Sequence, residues 1–534
     1  MIALTLAQLA DATGATVHGC ADPDAVLVDG PVVTDSRACG PGSLYVARVG
    51  EHADGHDYAP AAVAAGAVAV LGSRPVDGVP TLVSEDVQTA FGDLARAVLL
   101  ARRAQGTPLT VLAITGSSGK TSTKDLLAGV LAGSGETVAP VESLNGEIGV
   151  PLTICRVEDS TRYLILEMGA RGIGHIDYLT AMAPPDVSMV LNVGTAHVGE
   201  FGSRANIALA KSELVTALAP SGLAVLNADD IAVRAMAART AARVVFFGMG
   251  PVADKAVADK AVADADADQA ATDETRTDET RAGLPRRSEL VRATDVVLDD
   301  SGRPSFTLVH PHGEVEVHLE LRGVHQVSNA LAVAAAALEL GIAPEAVAER
   351  LAEARPVSRW RMEVSERADG VTVVNDAYNA NPDSMAAALS ALSTMGRAGR
   401  RTWAVLGSML ELGADSDAEH ATVGALAIDR GVDRLLAVGE GAKALREGAF
   451  NRAVELRQQA GSEVEIEGFV RWVPDADTAE SMLRAELAPG DIVLFKSSRD
   501  AGLRWLGERV AQAADTPAPT SPQTAPTFPK EARP

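Results

Sequence analysis

The chain has 534 residues, too many for one hydrophobic core, and this length predicts two to four domains. A hydrophobic content of 47% excludes wholesale disorder, and a net charge of −24 argues against nucleic acid as a general partner. The three cysteines show neither a paired framework nor a metal-binding spacing, which suits a reducing compartment. The first residues, MIALTLAQLADATG, lack a basic segment and a cleavage site, and no apolar run reaches membrane-spanning length. We therefore expect a cytoplasmic protein.

Strands and helices alternate along most of the chain. Residues 1–105 alternate short apolar runs with turns and contain an Ala-rich helix and the short strand AVAVL. From Thr110 onward the strand-like runs are TVLAI, YLILEM, VSMVLN, LAVLN and RVVFFG, and a second series begins near Arg355 with VTVVND, RTWAVLG, RLLAVG and DIVLFK. Such alternation predicts an α/β fold whose mostly parallel sheets are covered on both faces.

Two segments of low complexity depart from this pattern. Residues 251–282 are rich in Asp and lack aromatic side chains, and residues 515–534 are rich in Pro and Thr. We predict that both are disordered, the first as an insertion on a surface loop and the second as a tail. The remaining chain then divides into three domains, at 1–105, 106–354 and 355–514.

The stretch TVLAITGSSGKTST, residues 110–123, predicts a phosphate-binding loop between a buried strand and a helix. Backbone N–H groups at a helix N-terminus favour an anion, Lys120 can reach terminal phosphates, and Thr121 can ligate a phosphate-bound Mg²⁺. The strict P-loop pattern requires a glycine where Ile114 stands, so a plain strand–helix turn is the alternative. The loop residues that we expect to contact the phosphates are Thr115, Gly116, Ser117, Ser118, Gly119, Lys120, Thr121 and Ser122.

Three further residues are candidates for the same site. Glu167 lies at the carboxyl end of the strand YLILEM, the end that faces the ligand crevice in open α/β sheets. His197 follows the strand VSMVLN, and both side chains could ligate a metal ion. A solvated carboxylate and a loop histidine bonded to the backbone are the alternatives. Lys211 falls within a helix, and taken alone it is a surface lysine.

Several motifs together resemble those of the Mur ligase family, namely TGSSGKTSTK, LNGEIGVP, EMGA, NVGTAHVGEFG and AKSEL. The resemblance extends from Thr34 to about Arg509, except for residues 251–282. It implies an ATP-dependent amide ligase of peptidoglycan stem-peptide synthesis. It also implies three domains: an N-terminal α/β domain that binds a UDP-sugar, a central P-loop ATPase domain and a C-terminal Rossmann-like domain.

One stretch indicates which member of the family is most similar. NDAYNANPDSM, residues 375–385, resembles the member that adds D-alanyl-D-alanine to UDP-N-acetylmuramoyl-tripeptide, and GSMLELG and His420 agree with it. The ligase that adds the preceding diamino acid would carry VDYAHTPD and a later DNPR, and the chain contains neither. The resemblance thus implies these two small-molecule substrates together with ATP and two Mg²⁺ ions. We expect a monomer.

The resemblance also implies roles for individual residues. Lys120 would contact the β- and γ-phosphates, and Thr121, Glu167 and His197 would hold metal. Lys211 matches the lysine that several members carry as a carbamate, an anion that can position a metal ion. These five residues form the implied catalytic and metal-binding set. The implied nucleotide contacts are Asn329, Arg359, Asp376, Tyr378, Asn379 and Asn381. The implied contacts to the other substrates are Thr34, Asp35, Ser36, Arg37, Asn145, Lys496 and Arg499.

Details of the motifs depart from the family pattern. Gly146 stands where a second asparagine is usual, and Ser497 replaces the glycine of K-G-S-R. The resemblance also identifies residues 355–361 as the hinge segment between the second and third domains. A hinge there would let the third domain close over the nucleotide and exclude water from a reactive intermediate.

Three other functions compete with this interpretation. A folylpolyglutamate-type ligase shares the ATP chemistry but would lack the UDP-sugar domain that we assign to residues 1–105. A regulatory P-loop NTPase would hydrolyse nucleotide without an amino-acid acceptor, although the NKxD stretch of guanine switches is absent. A non-catalytic sugar-nucleotide scaffold would be indicated by loss of Lys120, Glu167 or His197, all of which are present.

Overall fold

The computed structural model describes residues 1–194, 198–249, 289–460, 466 and 468–512. Within these residues the strands form one two-stranded sheet and three larger sheets, and helices alternate with the strands. This architecture confirms the predicted α/β fold. The insertion predicted at 251–282 and the tail predicted at 515–534 lie outside the described residues, and the domain bounds stay predictions.

The N-terminal unit contains a two-stranded sheet, a five-stranded sheet and three α-helices. Its strands are β1 (Leu4–Thr5), β2 (Thr16–His18), β3 (Leu27–Val28), β4 (Val32–Val33), β5 (Ser43–Val46), β6 (Ala67–Gly72) and β7 (Thr81–Val83). Its helices are α1 (Leu6–Thr13), α2 (Ala59–Ala64) and α3 (Val87–Ala104). The larger sheet has the order β2-β7-β6-β5-β4, with β4 to β7 parallel and β2 antiparallel at one edge. The carboxyl ends of the parallel strands therefore share one edge, where residues 34–37 follow β4.

The central unit contains the largest sheet. Its strands are β8 (Thr110–Thr115), β9 (Glu136–Val138), β10 (Thr161–Glu167), β11 (Val187–Val190), β12 (Leu223–Asn227), β13 (Arg243–Gly248), β14 (Glu289–Leu298), β15 (Pro304–His310) and β16 (Gly313–His318). Its helices are α4 (Lys120–Ala132), α5 (Gly149–Ile154), α6 (His175–Met182), α7 (Val198–Phe201), α8 (Arg204–Thr216), α9 (Ile231–Ala235), α10 (His325–Glu339) and α11 (Pro344–Glu353). The sheet order is β16-β15-β14-β13-β12-β11-β8-β10-β9, parallel from β14 to β9 and antiparallel from β14 to β16.

Strand β8 lies between β10 and β11 and is covered on both faces. Val111 and Ala113 face a core that also contains Phe91 of α3, whereas Leu112 and Ile114 face a second core formed with α4 and α10. Because successive side chains of a strand point to opposite faces, an uninterrupted apolar run is what a doubly covered strand requires. The N-terminal helices thus close one face of the central sheet, and β8 carries the phosphate loop at the carboxyl edge.

The C-terminal unit is a second mostly parallel sheet. Its strands are β17 (Glu363–Glu366), β18 (Thr372–Asn375), β19 (Thr402–Leu406), β20 (Arg434–Val438), β21 (Val470–Val473) and β22 (Ile492–Lys496). Its helices are α12 (Pro382–Met395), α13 (Ser416–Asp429), α14 (Lys443–Ala460), α15 (Ala476–Glu486) and α16 (Leu503–Gln512). The sheet order is β17-β18-β22-β19-β20-β21, and only β17 is antiparallel to its neighbour within the described chain. Among the described residues, no helix combines the length and apolarity needed to cross a membrane.

Candidate active site

The loop between β8 and α4 requires glycine at its last residue. Gly119 has a φ of +79°, in the left-handed region, and a Cβ built there would lie 2.7 Å from Asn329 Oδ1. A side chain at this position would be strained and would also collide with Asn329. Asn329, for which the resemblance implies a nucleotide contact, therefore lies directly beside the loop.

Asn192 holds the middle of the loop in place. Its Oδ1 accepts a hydrogen bond from the Ser118 N–H at 2.9 Å, and its Nδ2 donates to the Ser118 carbonyl at 3.2 Å. Its own carbonyl accepts from the Ser117 N–H at 3.1 Å. Lys120 Nζ donates to the Gly116 carbonyl at 2.7 Å, so the ammonium group lies over the loop. Asn192 was not among the predicted site residues, although its place just after β11 at the carboxyl edge of the sheet was a usable signal.

Glu167 is the centre of a buried hydrogen-bond network at the start of α4. Its carboxylate accepts from Thr121 Oγ1 at 2.9 Å, from Ser143 Oγ at 2.7 Å and from Asn145 Nδ2 at 2.7 Å. Glu167 is fully buried, which excludes the alternative of a solvated strand-end carboxylate. The structure thus brings together three residues named from the sequence, Thr121, Glu167 and Asn145, and adds Ser143, which sequence analysis missed.

The groups around Glu167 fit a magnesium ion. They are a carboxylate and two hydroxyls, and hard oxygen ligands of this kind suit Mg²⁺. All three donors to the carboxylate are neutral, so a nearby cation would stabilise its buried charge. The described residues contain no cluster of three or more His, Cys, Asp or Glu side chains placed for a metal. Mg²⁺ commonly uses one or two protein carboxylates and completes its shell with waters and substrate phosphates.

Arg361, and not Arg359, reaches this network from the hinge segment. Arg361 Nη2 donates to Thr121 Oγ1 at 3.1 Å, and its guanidinium lies 4.3 Å from the centre of the Tyr378 ring. Its Nε is buried without a hydrogen-bond partner among the described residues, so the guanidinium keeps donor capacity for an anion. Arg359 instead pairs with Glu508 and is 55% exposed. The nucleotide contact that the resemblance implies for Arg359 stays a prediction, and Arg361 is the arginine of this segment that contacts Thr121.

Lys211 lies inside α8 and is buried, so the alternative of a surface lysine is wrong. Burial, together with the positive charge of Lys120, lowers the pKa of Lys211 to about 7. Burial also lowers the pKa of Lys120, while the Glu167 carboxylate opposes this change and the Arg361 guanidinium adds to it. A substantial fraction of Lys211 is therefore neutral near pH 7, and the neutral amine is the form that can add carbon dioxide.

The predicted nucleotide loop of the C-terminal unit is built around a buried ion pair. Lys496 Nζ donates to Asp376 Oδ2 at 2.6 Å and to the Asn379 carbonyl at 3.1 Å. Asn381 caps α12 by accepting from the Ser384 N–H at 2.9 Å. These contacts shape the loop, and the ammonium of Lys496 is directed into the domain. Its predicted substrate contact stays a prediction.

Arg499 lies at the rim of this region, whereas Asp35 and Arg37 lie in the N-terminal unit. Arg499 is exposed, and its guanidinium lies 5.8 Å from the centre of the Tyr378 ring. Asp35 and Arg37 form an exposed ion pair in the N-terminal unit, and the Arg37 guanidinium lowers the pKa of Asp35 to about 2. His197 lies outside the described residues, just before α7.

Comparison with known proteins finds one family in all three units. Family models match residues 31–99 (Mur ligase family, catalytic domain), 114–337 (Mur ligase middle domain) and 360–499 (Mur ligase, glutamate ligase domain). A relative from Mycobacterium tuberculosis (strain ATCC 25618 / H37Rv), named UDP-N-acetylmuramoyl-tripeptide--D-alanyl-D-alanine ligase, is 46% identical over 97% of this chain and 99% of its own length.

Solved structures agree with these sequence matches. A crystal structure of MurF from Acinetobacter baumannii is 28% identical, has a TM-score of 0.77 and covers 96% of this chain and 99% of that one. A crystal structure of MurF ligase from Thermotoga maritima in complex with ADP is 25% identical and has a TM-score of 0.70. It covers 91% of this chain and 98% of that one. The likeness therefore extends over all three units.

Proposed function

Because the chain belongs to the Mur ligase family, we infer that it joins D-alanyl-D-alanine to UDP-N-acetylmuramoyl-tripeptide with ATP as the energy source. The reaction forms an amide bond and yields UDP-N-acetylmuramoyl-pentapeptide, ADP and phosphate. The names of relatives that match over nearly the whole chain support this step of peptidoglycan synthesis. ATP is a cytoplasmic substrate, so we propose that the enzyme acts in the cytoplasm.

One observation carries the chemical part of the proposal. Three separate segments meet at the mouth of the phosphate loop: α4 supplies Lys120 and Thr121, β10 supplies Glu167, and the hinge segment supplies Arg361. A site that combines fixed cations with a buried carboxylate suits phosphoryl transfer, in which positioning and electrostatic stabilisation do most of the work.

The reaction proceeds in two steps. A carboxylate oxygen of the tripeptide attacks the γ-phosphorus of ATP, the bond to the β-phosphate oxygen breaks, and ADP leaves an acyl phosphate behind. The amine nitrogen of D-alanyl-D-alanine then attacks the acyl carbon, phosphate departs, and the nitrogen loses a proton. Lys120 and Arg361 offset the charge on the transferring phosphoryl group. Mg²⁺, when bound, neutralises phosphate charge and orients the γ-phosphate.

We propose the following places for the remaining groups. Thr121 and Glu167 would hold one Mg²⁺, and His197 with carbamylated Lys211 would hold a second. Asn329 and Tyr378 would contact the nucleotide, and Asn145 would contact the tripeptide end near Glu167. Residues 34–37 would bind the uridine diphosphate end, because they follow a strand at the carboxyl edge of the N-terminal sheet.

Substitution of Lys120 tests the assignment of the site. We expect Lys120→Ala to lower the rate of ligation by about 10²- to 10³-fold, the usual loss when one preorganised electrostatic group is removed. The measurement is ADP release and pentapeptide formation with both substrates present. Lys443→Ala is the matched control, because Lys443, the first residue of α14, is 51% exposed and contacts Glu440 and the Trp472 ring, away from the phosphate loop. Near-normal ligation by Lys120→Ala would exclude this loop as the catalytic phosphate site.

A further inference from the structure

A buried ion pair lies on α4 one turn beyond the catalytic residues. Lys124 and Asp125 follow Lys120 and Thr121 by four positions each, so each pair shares a face of the helix. The side chains of Lys124 and Asp125 are 3% and 13% exposed, and they form an ion pair with each other. None of the groups described above for the reaction touches this pair, so its position needs another explanation.

Lys124 links α4 to the segment that surrounds Glu167. Its Nζ donates to the Pro140 carbonyl at 3.0 Å. The same segment supplies Ser143 and Asn145, both of which donate to the Glu167 carboxylate. Lys124 therefore fixes the start of the segment whose later residues orient the catalytic carboxylate.

Asp125 links α4 to the hinge segment. The Ser358 N–H donates to Asp125 Oδ2 at 3.1 Å, and Lys124 Nζ donates to Ser358 Oγ at 3.5 Å. Three residues further along, Arg361 donates to Thr121 on the same face of α4. The hinge segment thus contacts this face twice, once at Asp125 and once at Thr121.

We propose that the Lys124–Asp125 pair is a positioning element that sets the reach of Arg361 toward the phosphate site. The inference rests on the proposed ligase function. A buried ion pair is a poor source of net stability, because desolvation offsets the attraction, so its fixed geometry is the property that matters here. The pair joins α4, the segment 140–145 and the hinge segment, the three pieces that place Thr121, Glu167 and Arg361. It touches no reacting atom and acts only through these residues.

Asp125→Asn tests the proposal. The amide oxygen can still accept from Ser358, but the charge that holds Lys124 is lost. We expect kcat to fall about 10- to 100-fold, as small displacements of a catalytic group commonly do. The KM for ATP should change by less than about 3-fold, because Asp125 does not touch the phosphate loop. Arg350→Ala is the matched control: Arg350 donates to the Val130 and Gly133 carbonyls at the C-terminal end of α4, and these contacts involve neither Asp125 nor residues 355–361.

A double-mutant cycle distinguishes positioning from general loosening of the fold. If Asp125 acts through Arg361, then Asp125→Asn added to Arg361→Lys should lower kcat by less than about 2-fold, because the linked group is already altered. Additive losses would overturn the proposal, and so would a kcat loss in Arg350→Ala equal to that in Asp125→Asn.

A second variant covers the case in which Asp125→Asn does not fold. Lys124→Met combined with Asp125→Asn leaves no lone buried charge, and replacing both members of a buried pair is usually tolerated. It should fold with normal ATP binding and show the same kcat loss, whereas an unchanged kcat would overturn the proposal. Ligation by the unsubstituted protein tests the proposed function by itself, so a loss confined to the variants concerns the ion pair alone.

Discussion

Lys211 should make the stability of the protein depend on pH, and Lys211→Met should remove that dependence. Burial lowers the pKa of Lys211 from its ordinary value of 10.5 to about 7. Between about pH 7 and pH 10.5, Lys211 binds a proton in the unfolded chain but not in the folded chain. The free energy of unfolding therefore rises with pH across this window, and below pH 7 the unfavourable contribution of the buried charge is constant. Methionine has a similar length and no charge, so it fits the cavity without this effect.

The structure gives the size of the effect. Each pH unit between the two pKa values corresponds to about 1.4 kcal/mol, so the buried ammonium destabilises the fold by about 5 kcal/mol below pH 7. Between pH 6 and pH 9 the unfolding free energy of the wild-type protein should rise by about 3 kcal/mol more than that of the methionine variant. The difference in unfolding free energy between the two proteins is compared at the two pH values. Its change reports on Lys211 alone, because the contributions of all shared groups cancel.

The assay is urea unfolding of both proteins at pH 6 and pH 9, followed by circular dichroism in buffer free of carbon dioxide. Hydrogen exchange of the α8 amides checks that the change is local to this helix. Lys443→Met, at an exposed position, should behave like the wild type. A pH-dependent difference below about 0.5 kcal/mol would refute the reasoning, because it would mean that Lys211 is hydrated or paired in the folded protein.

Three further predictions concern the phosphate site. Arg361→Ala should lower kcat by about 10²-fold in steady-state ligation, whereas Arg359→Ala should change it by less than about 3-fold; equal losses would contradict the positions that we assign. Glu167→Gln should raise the Mg²⁺ concentration needed for half-maximal rate, and a titration with an unshifted midpoint would remove Glu167 from the metal site. Gly119→Ala should weaken ATP binding about tenfold, as measured by calorimetry. An alanine in the left-handed region is strained by roughly 1–2 kcal/mol and its Cβ would displace Asn329. Normal affinity would show that the loop adapts.

The parallel sheets could be predicted from the sequence because their strands are uninterrupted apolar runs such as VLAI in β8. The antiparallel part, β14 to β16, was missed. Its signal was present: β15 alternates buried and half-buried side chains along Pro304–His310, the period of a strand with one covered face. An uninterrupted apolar run, the pattern that identified the parallel strands, is absent from β15, because Ser305 and Thr307 separate its apolar residues.

The candidate site was predicted in part. The phosphate loop carries its own signal, because glycines, a lysine and a threonine at that spacing have few other uses. Ser143 carries no such signal, because a single serine within VESLNG cannot be distinguished from an ordinary turn residue. The sequence alone does not show that Arg361, rather than Arg359, contacts α4. This depends on the local backbone path, which directs one of these two nearby side chains toward the helix. Burial of Lys211 follows from packing of α8 against the sheet, which a helical pattern alone does not reveal.

The most direct test of the central claim is phosphate release from ATP and Mg²⁺ with UDP-N-acetylmuramoyl-tripeptide, measured with and without D-alanyl-D-alanine. We predict sustained release only when both substrates are present, with a pentapeptide product identified by mass. Release that needs a single amino acid in place of the dipeptide would assign the enzyme to another ligation step. Release that needs neither substrate would contradict the account and favour a regulatory NTPase.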